Sequence, residues 1–164
     1  DSSGASHKLQ DFAGKNVVLE WTNHDCPFVQ KHYQGNMQAL QKEMAAQDVI
    51  WLSVISSAPG KQGHVSPSEA DDLTASRNAA PTAVVFDESG VVGQAYAAKT
   101  TPHMYVIDKA GVLQYMGGID SSPSAKVDDI AKATPLFANA AKAVLAGETP
   151  DPAISKPYGC SVKY

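Results

Sequence analysis

The chain alternates short, β-branched apolar runs with segments whose apolar residues recur every three or four positions. "KNVVLEWT" (Lys15–Thr22), "DVIWLSVISS" (Asp48–Ser57) and "PTAVVFD" (Pro81–Asp87) are short, rich in Val and Ile, and bounded by turn residues. Each reads as a buried strand. Between the first two, Phe28, Val29, His32, Tyr33, Met37, Leu40 and Met44 fall at helical spacing from Pro27 onward, with Gly35–Asn36 placed to kink or split the helix. Between the second and third, Ser66, Pro67 and Glu69 supply an N-cap, a first-turn proline and the reciprocal capping partner. "VVGQAYAA" (Val91–Ala98) predicts a short helix. "HMYVID" and "VLQYMGG", joined by "KAG", predict a β-hairpin, and "PLFANAAKAVLAG" an amphipathic helix stopped by Gly147.

Strands alternating with helices require a sheet with right-handed crossovers, and the closing hairpin adds an antiparallel edge. The expected class is α/β, three layers (α/β/α) around a mixed central sheet. No repeat, low-complexity segment or linker divides residues 1–164, so one domain is expected. Residues 148–164 carry three prolines and read as an extended tail.

Composition narrows the function. A length of 164 residues with 43% apolar and 18% charged content suits an ordinary folded domain. The net charge of -4 is spread over intermixed Lys, Asp and Glu, and Arg77 is the single arginine. No basic stripe exists for phosphate, so nucleic acid is not an expected partner. No apolar run approaches the roughly 20 residues of a membrane helix, so no membrane insertion is expected. The chain begins at Asp1 with neither Met nor a leader, as a processed or trimmed protein would. Two cysteines cannot build a disulfide scaffold. They can form one bridge or act as a redox pair.

Cys26 is placed at the switch from the first strand into the helix opened by Pro27. Unpaired amides at such a junction favour the thiolate, and the carboxyl end of a strand is where ligand sites form in open α/β sheets. A buried, inert thiol is the plainer alternative. "TTPHMYVID" places Thr101–Pro102 directly before a strand. A proline there cannot donate to a ladder; a cis bond would present the Thr101 backbone to a neighbouring site, and a trans bond would simply end the loop.

A strand, "xxCPxx" opening a helix, a Thr-Pro-led strand and a hairpin with "VID-x-x-G-V-L-x-Y-x-G" together resemble the thioredoxin fold. More narrowly, the chain is similar to redoxins of the AhpC/TSA group, in particular a bacterial subgroup sharing "LEW-x-N-x-x-CPFV-x-KHY" and "PYGCS-x-K-Y/W". Here these stand at Leu19–Tyr33 and Pro157–Tyr164. The resemblance covers nearly the whole chain, with an N-terminal opening shorter than the subgroup's. It implies that Cys26 is the nucleophilic cysteine, with Val29 in place of the usual second thiol. Pro102 becomes the cis-proline beside it, preceded by Thr101. Thr22 corresponds to the threonine near a peroxidatic cysteine, but the peroxiredoxin proline is missing, and Arg77, in a predicted surface helix, does not match the peroxiredoxin arginine. A periplasmic or secreted bacterial protein is implied, acting on a protein dithiol or disulfide or on a small peroxide.

Cys160, in the tail, could resolve a sulfenic acid or mixed disulfide on Cys26. It could equally staple the tail in a non-catalytic binding module. His24, Asp25 and His103 are candidates for tuning the thiol: an imidazolium would lower its pKa and a carboxylate would raise it. Cys26, His24 and His103 could also be imagined around copper or zinc. Their spacing matches no structural zinc pattern, and no metal or cofactor is expected.

Overall fold

The computed structural model describes residues 1–164. Its strands are β1 (Val17–Trp21), β2 (Ile50–Ile55), β3 (Ala83–Phe86), β4 (Thr100–Thr101), β5 (His103–Ile107), β6 (Leu113–Gly117) and β7 (Cys160–Ser161). Its helices are α1 (Pro27–His32), α2 (Asn36–Ala45), α3 (Pro67–Ser76), α4 (Val91–Ala95) and α5 (Leu136–Leu145). Short 3-10 turns at Leu9–Phe12 and Val127–Lys132 left no periodic signature in the sequence.

Five strands form one sheet in the order β3-β2-β1-β5-β6. β1 runs parallel to β2, and β2 to β3, while β5 is antiparallel to β1 and to β6. β1 is therefore central and covered on both faces, which is why its sequence is nearly all apolar. Val17, Leu19 and Trp21 pack with Leu52, Val54, Tyr105 and Ile107 on one face. Val18 packs with Trp51, Met104, Val106 and residues of α2 and α5 on the other. Each large apolar side chain buried this way contributes about 1.5–3 kcal/mol.

The expected helix from Pro27 is split. Gly35 adopts φ +118, a conformation open to glycine and strained for other residues, and α2 restarts behind it. α3 carries the expected capping box: Ser66 N donates to Glu69 Oε2 at 2.7 Å, and Ser66 Oγ accepts from Glu69 N. The β5–β6 hairpin is closed by Asp108, whose Oδ1 accepts from the amides of Ala110 and Val112, both at 2.9 Å.

The tail is docked against the sheet from Ala153 onward. Met116 N donates to Ala153 O and Ser155 N to Met116 O, both at 3.1 Å, so the tail first covers the outer edge of β6. It then crosses to β4, where β7 pairs antiparallel in a separate two-stranded sheet. That crossing builds the site.

Candidate active site

Cys26 is the N-cap of α1, with Pro27 in the first turn. Its amide donates to Asn23 O at 3.1 Å and its carbonyl accepts from Gln30 N at 2.9 Å, so the loop leaving β1 turns directly into the helix. The residue has no exposed surface. Its Sγ donates to the Thr101 carbonyl oxygen at 3.1 Å. The Thr101–Pro102 bond is cis, as the resemblance implies. Thr101 in turn stands opposite Cys160 in the β4–β7 register. Both cysteines thus converge on one residue, and both are free.

The two sulfurs titrate in opposite directions. Burial pushes the Cys26 thiol up, but hydrogen bonds from the thiol and amide of Cys160 and from the Val29 amide outweigh it. The net result lies below the ordinary value. The Thr101 hydroxyl, buried and without another partner, adds a smaller contribution in the same direction. Cys160 is pushed up to about 11, by burial first and then by its bond to Cys26 and that group's charge; Lys163 opposes weakly. The pair therefore holds its first negative charge on Cys26, with the Cys160 S–H donating to it.

The proposed tuning residues are placed elsewhere in this network. His24 Nε2 lies 3.2 Å from Asp25 Oδ1 at the loop surface. His103 Nδ1 faces the Tyr105 hydroxyl at 3.0 Å and accepts from Lys99 N at 3.3 Å; burial, with Lys99 adding, lowers its pKa to about 4. The groups that shift Cys26 are Cys160, Val29 and Thr101, not these three. Thr22 is buried at the end of β1, its amide donating to Val54 O at 2.9 Å.

Residues 1–116 match the AhpC/TSA family. The chain belongs to the AhpC/TSA family. No curated protein matches the sequence. Among solved structures, a hypothetical protein of Sinorhizobium meliloti superimposes with TM-score 0.80 at 20% identity, covering 100% of this chain and 88% of that one. An uncharacterized conserved protein of Geobacillus kaustophilus gives TM-score 0.77 at 22% identity, covering 95% and 81%. A secreted disulfide oxidoreductase of Mycobacterium tuberculosis, homologous to E. coli DsbE, gives 0.53 at 19%, covering 68% and 75%. A thioredoxin-like protein in its oxidised form gives 0.62 at 14%, covering 88% and 87%. The fold of this redoxin is thioredoxin-like.

Several residues around the redoxin's thiol pair gave no signal in the sequence. Arg77, expected on a surface helix, is the C-cap of α3, and its guanidinium reaches back to the thiol loop. It donates to His24 O at 3.1 Å and lies 4.9 Å from the Tyr33 ring centroid. Glu20, fully buried on β1, accepts from Trp51 Nε1 at 2.9 Å, Ser53 Oγ at 2.8 Å and the Tyr33 hydroxyl at 2.8 Å. Lys31 and His32, on α1, are buried. They meet the tail at Tyr158, whose hydroxyl donates to Asp120 Oδ1 at 2.5 Å and lies 3.3 Å from Lys31 Nζ and 3.1 Å from His32 Nε2. At the far end of the tail, the Tyr164 hydroxyl donates to Ala98 O at 2.8 Å. A pattern of apolar periodicity cannot reveal polar groups buried against one another over such sequence distances.

Proposed function

We propose that this redoxin is a thiol–disulfide oxidoreductase whose redox couple is Cys26 and Cys160. The observation that carries the proposal is the convergence of both cysteines on Thr101: one sulfur on its carbonyl, the other residue opposite it in a strand pair. The place of the usual second thiol is taken by Val29, and the tail supplies the missing sulfur from the other end of the chain. Cys26 is the nucleophilic thiolate of the pair, because Cys160, Val29 and Thr101 stabilise its charge. Oxidation joins the two sulfurs and releases two electrons and two protons to a disulfide acceptor; reduction by a dithiol reverses it. Pro27 starts the helix behind the thiol, Thr101 and Pro102 shape the groove over it, and Thr22 closes the strand beneath the loop.

A protein dithiol or disulfide is the favoured substrate class. A peroxide would need a free path to Cys26, which is fully covered, and Arg77 spends its guanidinium on the His24 carbonyl and the Tyr33 ring. A thiol pair that cycles through a disulfide also fits an oxidising compartment, periplasmic or secreted, better than a cytosol that keeps thiols reduced. The test is turnover of a reduced dithiol peptide with a disulfide acceptor, set against hydrogen peroxide with the same dithiol. Wild type should turn over the former, and Cys26→Ser and Cys160→Ser should each lose it. A peroxide rate exceeding the exchange rate, retained in Cys160→Ser, would replace this reading with a peroxidase.

A further inference from the structure

The residues from Tyr158 to Tyr164 form a strap across the thiol, fastened at both ends by tyrosines. At one end the Tyr158 hydroxyl sits among Asp120, Lys31 and His32. At the other, the Tyr164 ring lies on a notch left by two glycines: a Cβ on Gly90 or Gly93 would stand 2.5 Å or 2.6 Å from its carbons. Between the clamps, Val162 N donates to Lys99 O at 3.1 Å and Lys163 O accepts from Ala58 N at 2.9 Å. Gly159 passes so close to β4 that a Cβ there would lie 2.0 Å from Thr101 O. The consequence is an inverted accessibility. Cys26 has no exposed surface, while Cys160, on the strap itself, is partly exposed.

We infer that Cys160, not Cys26, is the sulfur through which outside thiols enter and leave the couple. The inference rests on the dithiol reading above and reverses the order that the family resemblance implies. Thiol–disulfide exchange needs the attacking, central and leaving sulfurs nearly in line. Cys26 has no exposed surface, and Val29 and Thr101 beside it are buried as well, so an outside sulfur has no open line of approach to it. Attack on Cys160 comes from solvent. An incoming thiolate forms its bond to Cys160 Sγ, the Cys160–Cys26 bond breaks, and the electron pair leaves on Cys26, the sulfur that the surrounding donors favour as the anion. The second thiol of the incoming dithiol then attacks its own sulfur in the mixed disulfide. The external dithiol departs as a disulfide, and Cys160 takes up a proton. The couple closes again when the Cys26 thiolate attacks Cys160 Sγ in a mixed disulfide, forming the Cys26–Cys160 bond and expelling the partner as its thiolate.

The experiment opens the oxidised wild-type protein with glutathione for short times, quenches with acid, alkylates free thiols and maps the peptides. Recovery of an intramolecular Cys26–Cys160 disulfide before glutathione is added is checked first; its absence removes the dithiol reading itself. With the disulfide present, glutathione on Cys160 with alkylated Cys26 is expected at the earliest times, in at least about tenfold excess over the opposite arrangement, since the attacked sulfur is set by access and leaving group. Glutathione on Cys26, or equally on both, overturns the inference and leaves the couple intact. Tyr164→Ala, which unfastens one clamp without touching either sulfur, should narrow that ratio; a ratio unchanged in Tyr164→Ala excludes the strap as its cause.

Discussion

Thr101 stands directly opposite Cys160 in the β4–β7 pair while its carbonyl oxygen accepts from Cys26 Sγ at 3.1 Å. One residue thus links the two cysteines, through a hydrogen bond to one and a strand pairing with the other.

Removing the second thiol should therefore change the first. Cys160 supplies the largest of the interactions that lower the Cys26 pKa, so Cys160→Ala should raise it. Thiolate absorbance at about 240 nm, or alkylation rate across pH, reads the shift, since only the thiolate reacts. An unchanged titration in Cys160→Ala would show that the tail thiol is not in contact.

Gly159→Ala places a Cβ against the Thr101 carbonyl at a residue held at φ +136. The strained conformation and the clash should cost about 1–3 kcal/mol, or release the tail from β4 instead. Thermal unfolding should fall by several degrees, and Cys26 should become alkylated faster where release of the tail uncovers it. A variant with wild-type melting and a still-protected Cys26 would contradict the tail's placement.

Tyr158→Phe deletes a hydroxyl shared by Asp120, Lys31 and His32, leaving buried polar groups short of a partner. A loss of about 1–3 kcal/mol is expected in urea unfolding. A loss below about 0.5 kcal/mol, the level of an ordinary surface change, would contradict the anchoring role.

Acid should weaken the fold through two buried histidines. His32 is lowered to about 4 by burial, with Asp120 opposing and Lys31 adding, and His103 to about 4 by burial and Lys99. Between roughly pH 6.5 and 4 the unfolded chain binds protons that the native protein refuses. Stability present above pH 6.5 is therefore lost as the pH falls, up to about 3 kcal/mol for each histidine. Glu20, raised by burial against its donors, has the opposite sign: its contribution is present at low pH and fades as the pH rises through its folded value. The urea midpoint should fall from pH 7 to pH 5, and His103→Gln should flatten that fall. A His103→Gln protein with the wild-type slope would contradict the assignment.

The order of strands and helices could be read directly from the sequence, because period-2 and period-3.6 apolar patterns are local. So could an interruption at Gly35, as a kink or a split, the cap at Ser66 and the position of Cys26 at a helix start. Thr101–Pro102 could be found from the awkwardness of a proline before a strand. The contact between Cys26 and Cys160 could not be fixed, since β7 is only two residues long and pairs with an equally short β4. Lys31, His32, Asp120 and Tyr158 were equally hidden. Charged and aromatic residues scattered over the chain look solvated one at a time, and only the packed tail makes them a cluster.

The most direct measurement is the reduction potential of the Cys26–Cys160 couple in glutathione or dithiothreitol buffers, with the fraction oxidised read by mass after alkylation. A couple that cycles should lie between about -120 and -270 mV, the span of thiol oxidoreductases. A bridge below about -300 mV, resistant to the glutathione pool, would make the two cysteines a permanent staple and contradict the redox role.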